Sequence, residues 1–181
     1  MNREFERILI PREDIAARVA ALAAQITRDY ADAAVELVAV AILKGSVYFF
    51  ADLTRQIGRE VKLDFMAVTS YGSSAETSGE VKILKDLDGS IKGKDVLVIE
   101  DIVDSGVTLF NLTRMLREKK PRSIKVCAFL DKPARRKIDF AADYVGFTIP
   151  DAFVVGYGLD YAQSYRNFPD VAVLSPAVYK R

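Results

Sequence analysis

The segment Leu37-Val-Ala-Val-Ala-Ile-Leu43 contains no polar position at all. A strand with one wet face alternates apolar and polar residues, so an unbroken run belongs to a strand buried on both faces, as in a parallel sheet covered by helices. The run, the longest apolar stretch in the chain, is far too short to cross a bilayer, which takes about 20 residues. It sits in a strand read as Glu36 to Leu43, and further strand-length segments lie at Lys62–Ser70, Val81–Leu87, Asp95–Ile99 and Ile124–Leu130. Shorter ones fall at Tyr144–Phe147, Phe153–Val155 and Val171–Leu174. Helical patterns separate several of them. Ile15, Val19, Leu22, Ile26 and Tyr30 mark one apolar stripe over 12–31, with Pro11 at its entry. Val47 to Ile57 reads as a second helix, with Gly58 as its C-cap, and Thr108 to Lys119 as a third, ended by Pro121. This alternation predicts an α/β fold of right-handed βαβ units around a mainly parallel central sheet flanked by helices. With 181 residues and no repeat, linker or low-complexity tract, the expectation is one domain. The polar stretch Tyr71 to Glu80 is left as a long exposed loop, the kind that tends to serve function.

Two absences narrow the chemistry. There is no histidine and one cysteine, Cys127. Imidazole-based triads and zinc sites are therefore set aside, and any metal is expected on oxygen ligands, pointing to magnesium. Acid–base work falls to carboxylates, lysine or tyrosine. A single cysteine makes no internal disulfide, which fits a reducing cytoplasm, and Cys127 itself reads as core. The charged start, Met1 to Arg7, does not resemble a signal peptide, and Val178 to Arg181 carries no lipidation signal. A formal net charge of +1 gives no electrostatic footprint for nucleic acid. Neither a nucleic-acid nor a membrane partner is expected.

The strongest local signal runs from Val96 to Leu109. An apolar strand delivers Glu100 and Asp101 to its C-terminal edge, where open α/β sheets bind ligands. Asp104-Ser105-Gly106-Val107-Thr108 then opens a helix, and backbone N–H groups at a helix start make a phosphate cradle. Adjacent acids suit the vicinal hydroxyls of a ribose and a magnesium ion better than a second phosphate, so the pattern suggests a ribose 5-phosphate. Helix capping alone would account for Asp104 and Ser105, but not for Glu100 and Asp101. Two other phosphate motifs fail: Gly89-Ser-Ile-Lys-Gly-Lys94 is one residue short of a Walker loop and lacks its hydroxyl residue, and Gly156-Tyr-Gly158 lacks a third glycine.

With these residues in view, Val96 to Leu109 resembles the phosphoribosyl-diphosphate signature of the type I phosphoribosyltransferases. Leu43-Lys-Gly-Ser46, Ser70-Tyr-Gly72 with Thr77-Ser-Gly79, Asp131-Lys-Pro133, and Val145 to Asp151 with Tyr165-Arg166 are similar, in the same order, to the hypoxanthine-guanine members. The resemblance implies that fold, with a small hood formed by the terminal segments, and transfer of a phosphoribosyl group to N9 of a 6-oxopurine. It implies Glu100 and Asp101 at the ribose hydroxyls and magnesium, Asp104 as general acid/base, and Ser105, Gly106, Val107 and Thr108 around the 5-phosphate. Lys44, Gly45, Ser70, Tyr71 and Arg166 would meet the diphosphate, and Asp160 a second magnesium. Lys132 would donate to the purine 6-oxygen, Phe153 would stack on the base, and the Val154 backbone would read its edge. Read alone, Lys44-Gly45 serves equally as a helix-entry turn, Arg166 as a surface charge, Asp160 as a loop acid and Phe153-Val154-Val155 as a core strand. The resemblance further implies a non-proline cis peptide near Lys44, closure of Tyr71–Glu80 over the ligands, and a homodimer or homotetramer.

Overall fold

The computed structural model describes residues 4–32, 34–70 and 81–179. The chain begins with β1 (Phe5–Ile10), α1 (Arg12–Asp29), β2 (Leu37–Leu43), α2 (Val47–Thr54) and β3 (Lys62–Ser70). It continues through β4 (Val81–Lys85), β5 (Asp95–Val103), α3 (Val107–Glu118), β6 (Ser123–Asp131) and a 3-10 turn at Pro133–Arg135. It ends with β7 (Tyr144–Thr148), β8 (Val154–Val155), β9 (Val171–Leu174) and α4 (Pro176–Tyr179). The expected loop at Tyr71–Glu80 lies outside the described residues.

Six strands form the main sheet in the order β4-β3-β2-β5-β6-β7. All neighbours are parallel except β4, which runs antiparallel along one edge. The two-faced burial inferred for β2 is what the sheet shows. Val38, Val40 and Ile42, with Val96 and Val98 of β5, face Leu109, Leu112 and Leu116 of α3. The alternate residues Leu37, Ala39 and Ala41, with Leu97 and Ile99, face Ile15, Val19, Leu22 and Ile26 of α1 and Phe49 and Leu53 of α2. Each large side chain removed from water here contributes about 1.5–3 kcal/mol. Cys127 is fully buried among them, and burial pushes its thiol ionisation up, as suits a core residue.

Three features depart most from the sequence reading. α2 stops at Thr54 and does not reach Gly58. Arg59 donates to the carbonyls of Tyr30, Asp32 and Val35, and the Gly58 amide to Thr27 Oγ1, which together draw the chain off the helix axis toward α1. β5 runs on to Val103, so Glu100 and Asp101 are strand residues and not part of a turn; pairing with β6 at Ala128, Leu130 and Asp131 carries the strand through them. β1 has no counterpart in the sequence reading. It pairs antiparallel with β9, which also pairs with β8, giving a separate sheet, β1-β9-β8, built from both ends of the chain. That sheet is the hood.

At the opposite end of β5, the almost fully buried Asp95 carboxylate accepts from Arg122 Nε (2.9 Å), Arg122 Nη2 (2.6 Å) and Ser123 Oγ (2.6 Å). Arg122 holds this carboxyl below the usual carboxylate range. A depressed folded pKa contributes stability that is complete above the unfolded value and is lost as pH falls through the folded one. Thermal melts of Asp95→Asn are therefore expected to show less loss of stability than the parent protein between pH 5 and pH 3, from a lower starting Tm at neutral pH (roughly the span below the ordinary carboxylate pKa). Parallel pH profiles would contradict this role.

Candidate active site

Three segments converge at the C-terminal edge of the main sheet. Glu100 and Asp101 follow the buried run Asp95–Ile99 of β5. The Lys44-Gly45-Ser46 turn leads from β2 into α2, entered through a cis peptide between Leu43 and Lys44. The Gly156–Gly158 loop comes from the hood. Their contact is close because two of the residues lack side chains: a Cβ on Gly45 would overlap Asp101 Oδ2, and one on Gly158 would overlap the Gly45 carbonyl. Ser46 is completely buried and donates to the Ile42 carbonyl at 2.6 Å, which ties down the turn, while Lys44 is exposed.

The two acids keep part of their surface in the cleft but are largely walled off from bulk water. The Asp101 amide donates to Glu100 Oε1 (3.2 Å) and the Ile102 amide to Asp101 Oδ1 (2.7 Å). Burial, and then the neighbouring charge of Asp101, hold the Glu100 carboxyl well above the usual carboxylate range. Burial also raises Asp101, against the opposing influence of its hydrogen bonds and of the Arg166 guanidinium. A carboxylate pair with so little compensation favours a ligand that brings positive charge or hydroxyl donors.

Immediately after β5, Asp104 to Thr108 curl around a hollow of about 90 Å³, lined also by Glu100, Ile102, Val103 and Leu109. Gly106 supplies the left-handed residue, φ 81°, that starts α3 and leaves the first amides of the helix facing outward. Ser105 Oγ accepts from the Val107 amide at 3.3 Å. Asp104 Oδ1 is buried without a hydrogen-bond partner, one of two such side-chain atoms among the described residues. It is an acceptor kept out of water with its hydrogen-bonding capacity unused.

Sequence reasoning missed what holds this turn from behind. Arg136 ion-pairs with Asp131 and donates from Nη1 to the Asp104 carbonyl at 2.8 Å. The Lys137 amide donates to the Ser105 carbonyl at 3.0 Å, and the Lys132 amide to the Val103 carbonyl at 2.9 Å. Apart from Arg136 and Asp131, these partners are some thirty residues apart in sequence, and no local pattern marks them.

Lys132 is buried, its Nζ donating to the Ala152 carbonyl at 2.9 Å with the Asp151 carboxylate 3.9 Å away. Phe153 precedes β8 and is half exposed, while Val154 lies buried within it. The Phe153 ring stacks on Tyr179 of α4 (4.9 Å, 21°) and meets Tyr161 edge-on (5.7 Å). Tyr179 had no sequence signal. Arg166 donates to the Gly158 carbonyl (2.8 Å) and pairs with Asp160 (2.9 Å), so Asp160 points to Arg166 rather than to Glu100 and Asp101. No group of three or more acids or cysteines comes together as a metal cage among the described residues. Ser70 ends β3 at the same sheet edge, its side chain undescribed, and Tyr71 lies outside the described residues. The Walker-like segment has a structural role. The Gly89 amide (3.4 Å) and that of the preceding Asp88 (3.0 Å) donate to the buried Asp64 carboxylate, and the Gly93 amide donates to the Lys120 carbonyl at 2.9 Å. No helix among the described residues is long and apolar enough to cross a membrane.

Residues 10–162 match the family model described as "Phosphoribosyl transferase domain". The chain is 52% identical over 180 residues to a hypoxanthine-guanine phosphoribosyltransferase of Bacillus subtilis, covering 99% of each. It superposes on the crystal structure of a hypoxanthine phosphoribosyltransferase from Staphylococcus aureus with a TM-score of 0.95 at 48% identity, covering 100% of this chain and 97% of that one. A Trypanosoma cruzi hypoxanthine phosphoribosyl transferase superposes with a TM-score of 0.95 at 41% identity, covering 99% and 96%. Acid pair, helix-start cradle, fold and relatives agree, and the chain belongs to the phosphoribosyltransferase family, in its hypoxanthine-guanine branch.

Proposed function

We propose that this enzyme, acting as one domain, moves the 5-phosphoribosyl group from phosphoribosyl diphosphate to N9 of hypoxanthine or guanine, releasing diphosphate and giving IMP or GMP. The observation that carries the reading is the shielded Glu100–Asp101 pair set against the Asp104–Thr108 hollow, with the Asp104 Oδ1 acceptor at the start of that turn buried and unpartnered. A 5-phosphate fits the outward amides of α3 and the Ser105 and Thr108 hydroxyls. The ribose hydroxyls then donate to Glu100 and Asp101, and the purine lies toward Lys132 and Phe153. As N9 bonds to C1 of the ribose from the face opposite the leaving group, Asp104 accepts the proton the base sheds. Lys132 gives a hydrogen bond to the 6-oxygen, where adenine would offer another donor, and the Val154 backbone borders the base. Lys44, Gly45, Ser70, Tyr71 and Arg166 are assigned to the diphosphate; Arg166 exchanges part of its Asp160 pairing for it.

Magnesium fits the acid pair. The donors are all oxygen, burial holds both carboxyls above the usual carboxylate range, and no cage of three protein ligands forms among the described residues, which leaves room for ligand oxygens. Glu100 and Asp101 would hold it, with Asp160 assigned to a second ion, and when bound it supplies charge neutralisation to the departing diphosphate.

The test is product formation from phosphoribosyl diphosphate and magnesium with hypoxanthine, guanine, xanthine or adenine. Nucleotide from the first two and none from adenine is expected; product from adenine alone, or from no base, overturns the reading. Lys132→Gln separates base recognition from the rest of the site. A lost hydrogen bond to a charged donor costs roughly 1.5–3 kcal/mol, so kcat/KM for hypoxanthine should fall by about 10- to 100-fold with IMP still bound through its phosphate. Unchanged purine kinetics with a lowered Tm would make Lys132 structural.

A further inference from the structure

The Gly156-Tyr157-Gly158 loop carries a side chain that the reaction as assigned leaves unused. Its residues all adopt left-handed backbone, with φ of 98°, 48° and 103°. For the glycines this is free; for a tyrosine it is uncommon and needs the surroundings to impose it. They do. A Cβ on Gly156 would overlap the Asp170 carbonyl, and one on Gly158 the Gly45 carbonyl, so the loop is pressed between the hood and the Lys44-Gly45 turn. The Tyr157 amide donates to the Phe168 carbonyl (2.7 Å) and the Gly158 amide to the Arg166 carbonyl (2.9 Å), while Arg166 Nη1 returns to the Gly158 carbonyl (2.8 Å). Where this loop sits, Arg166 and Gly45 sit.

Tyr157 anchors it. The ring packs on Phe129 (4.9 Å) and approaches Tyr48 (6.4 Å), and the hydroxyl donates to Asp52 Oδ2 at 2.7 Å. Asp52 belongs to α2, the helix that the Lys44–Ser46 turn opens. We propose that the Tyr157–Asp52 hydrogen bond is a positioning contact for diphosphate recognition, fixing the loop that holds Arg166 in register with the Lys44-Gly45 turn. This rests on the assignment of Lys44, Gly45 and Arg166 to the diphosphate. Burial and the Asp52 charge push the Tyr157 ionisation up, so the hydroxyl remains a donor at neutral pH. Beside the bond lies a cavity of about 460 Å³, bordered by Tyr48, Asp52, Tyr157, Arg166 and Phe168, so a released loop has room to shift.

Three single variants, the Tyr157→Phe/Asp52→Leu double variant and one control test this in steady-state kinetics run in both directions. Tyr157→Phe keeps the ring without its hydroxyl, Asp52→Leu removes the acceptor, and Asp52→Asn retains one. Tyr157→Phe and Asp52→Leu are each expected to raise KM for phosphoribosyl diphosphate, and for diphosphate in the reverse direction, by about 5- to 10-fold, the loss of one hydrogen bond. KM for hypoxanthine should stay within about twofold, Asp52→Asn should behave within about twofold of the parent, and the double variant should be no worse than the worse single one, since both remove one contact. Arg166→Gln, run alongside, should raise the same KM. If Arg166→Gln does so while Tyr157→Phe and Asp52→Leu do not, the positioning contact is wrong. If the two variants weaken both substrates equally with a fall in Tm, the bond is merely structural and the proposal is also overturned. No effect of Arg166→Gln would bring down the diphosphate assignment itself, and this inference with it.

Discussion

Asp104→Asn is expected to reduce turnover by about 10²- to 10⁴-fold, the usual contribution of a positioned general base. Binding should survive, because Asn has nearly the same shape and the turn around it is held through main-chain groups. Arg136 grips the Asp104 carbonyl, Lys137 the Ser105 carbonyl, and Gly106 sets the start of α3. What the substitution removes is proton uptake at a buried, unpartnered Oδ1. Single-turnover rates beside equilibrium binding of phosphoribosyl diphosphate separate the two effects. Turnover near that of the parent would take Asp104 out of the proton-transfer role.

Gly45→Ala is expected to lower kcat/KM for phosphoribosyl diphosphate by at least about 10²-fold, the scale of a misplacement near 1 Å at a reacting centre. The added methyl would overlap Asp101 Oδ2, so either the acid or the turn must move. Neither can do so alone: Asp101 is fixed in β5, and the Gly45 carbonyl lies against Gly158. The displacement therefore reaches the ribose and diphosphate contacts together, whereas hypoxanthine bound near Lys132 and Phe153 should be affected far less. Kinetics with each substrate varied in turn would show it. Parent-like kinetics would mean that the cleft relaxes freely and that the closeness of Gly45, Asp101 and Gly158 is incidental.

The main sheet was legible because its strands are buried on both faces; Leu37–Leu43 admits few other readings. The candidate site was legible where its proposed residues are contiguous, as from Glu100 to Thr108. The hood was only partly so. β1 mixes Phe5, Ile8, Leu9 and Ile10 with Glu6 and Arg7, and as a half-exposed strand whose partner lies over 160 residues away it reads as a charged start. Arg136, Asp52, Tyr157 and Tyr179 went unmarked for the same reason: each acts through a contact distant in sequence. Gly156-Tyr-Gly158 did attract notice, as a failed dinucleotide motif. Its glycines serve instead to let two backbones touch, and a spacing rule written for phosphates could not show that.

The stitching of β9 between β1 and β8 makes the two ends of the chain answerable to each other. Removing β1 would strip Val171–Leu174 of one of its two partner strands and leave a wholly apolar strand with an open edge, a template for adhesion between molecules. A trimmed enzyme would thus fail by clumping before it failed by chemistry. The residues of β1 act as the clasp that keeps the far end of the protein from being sticky.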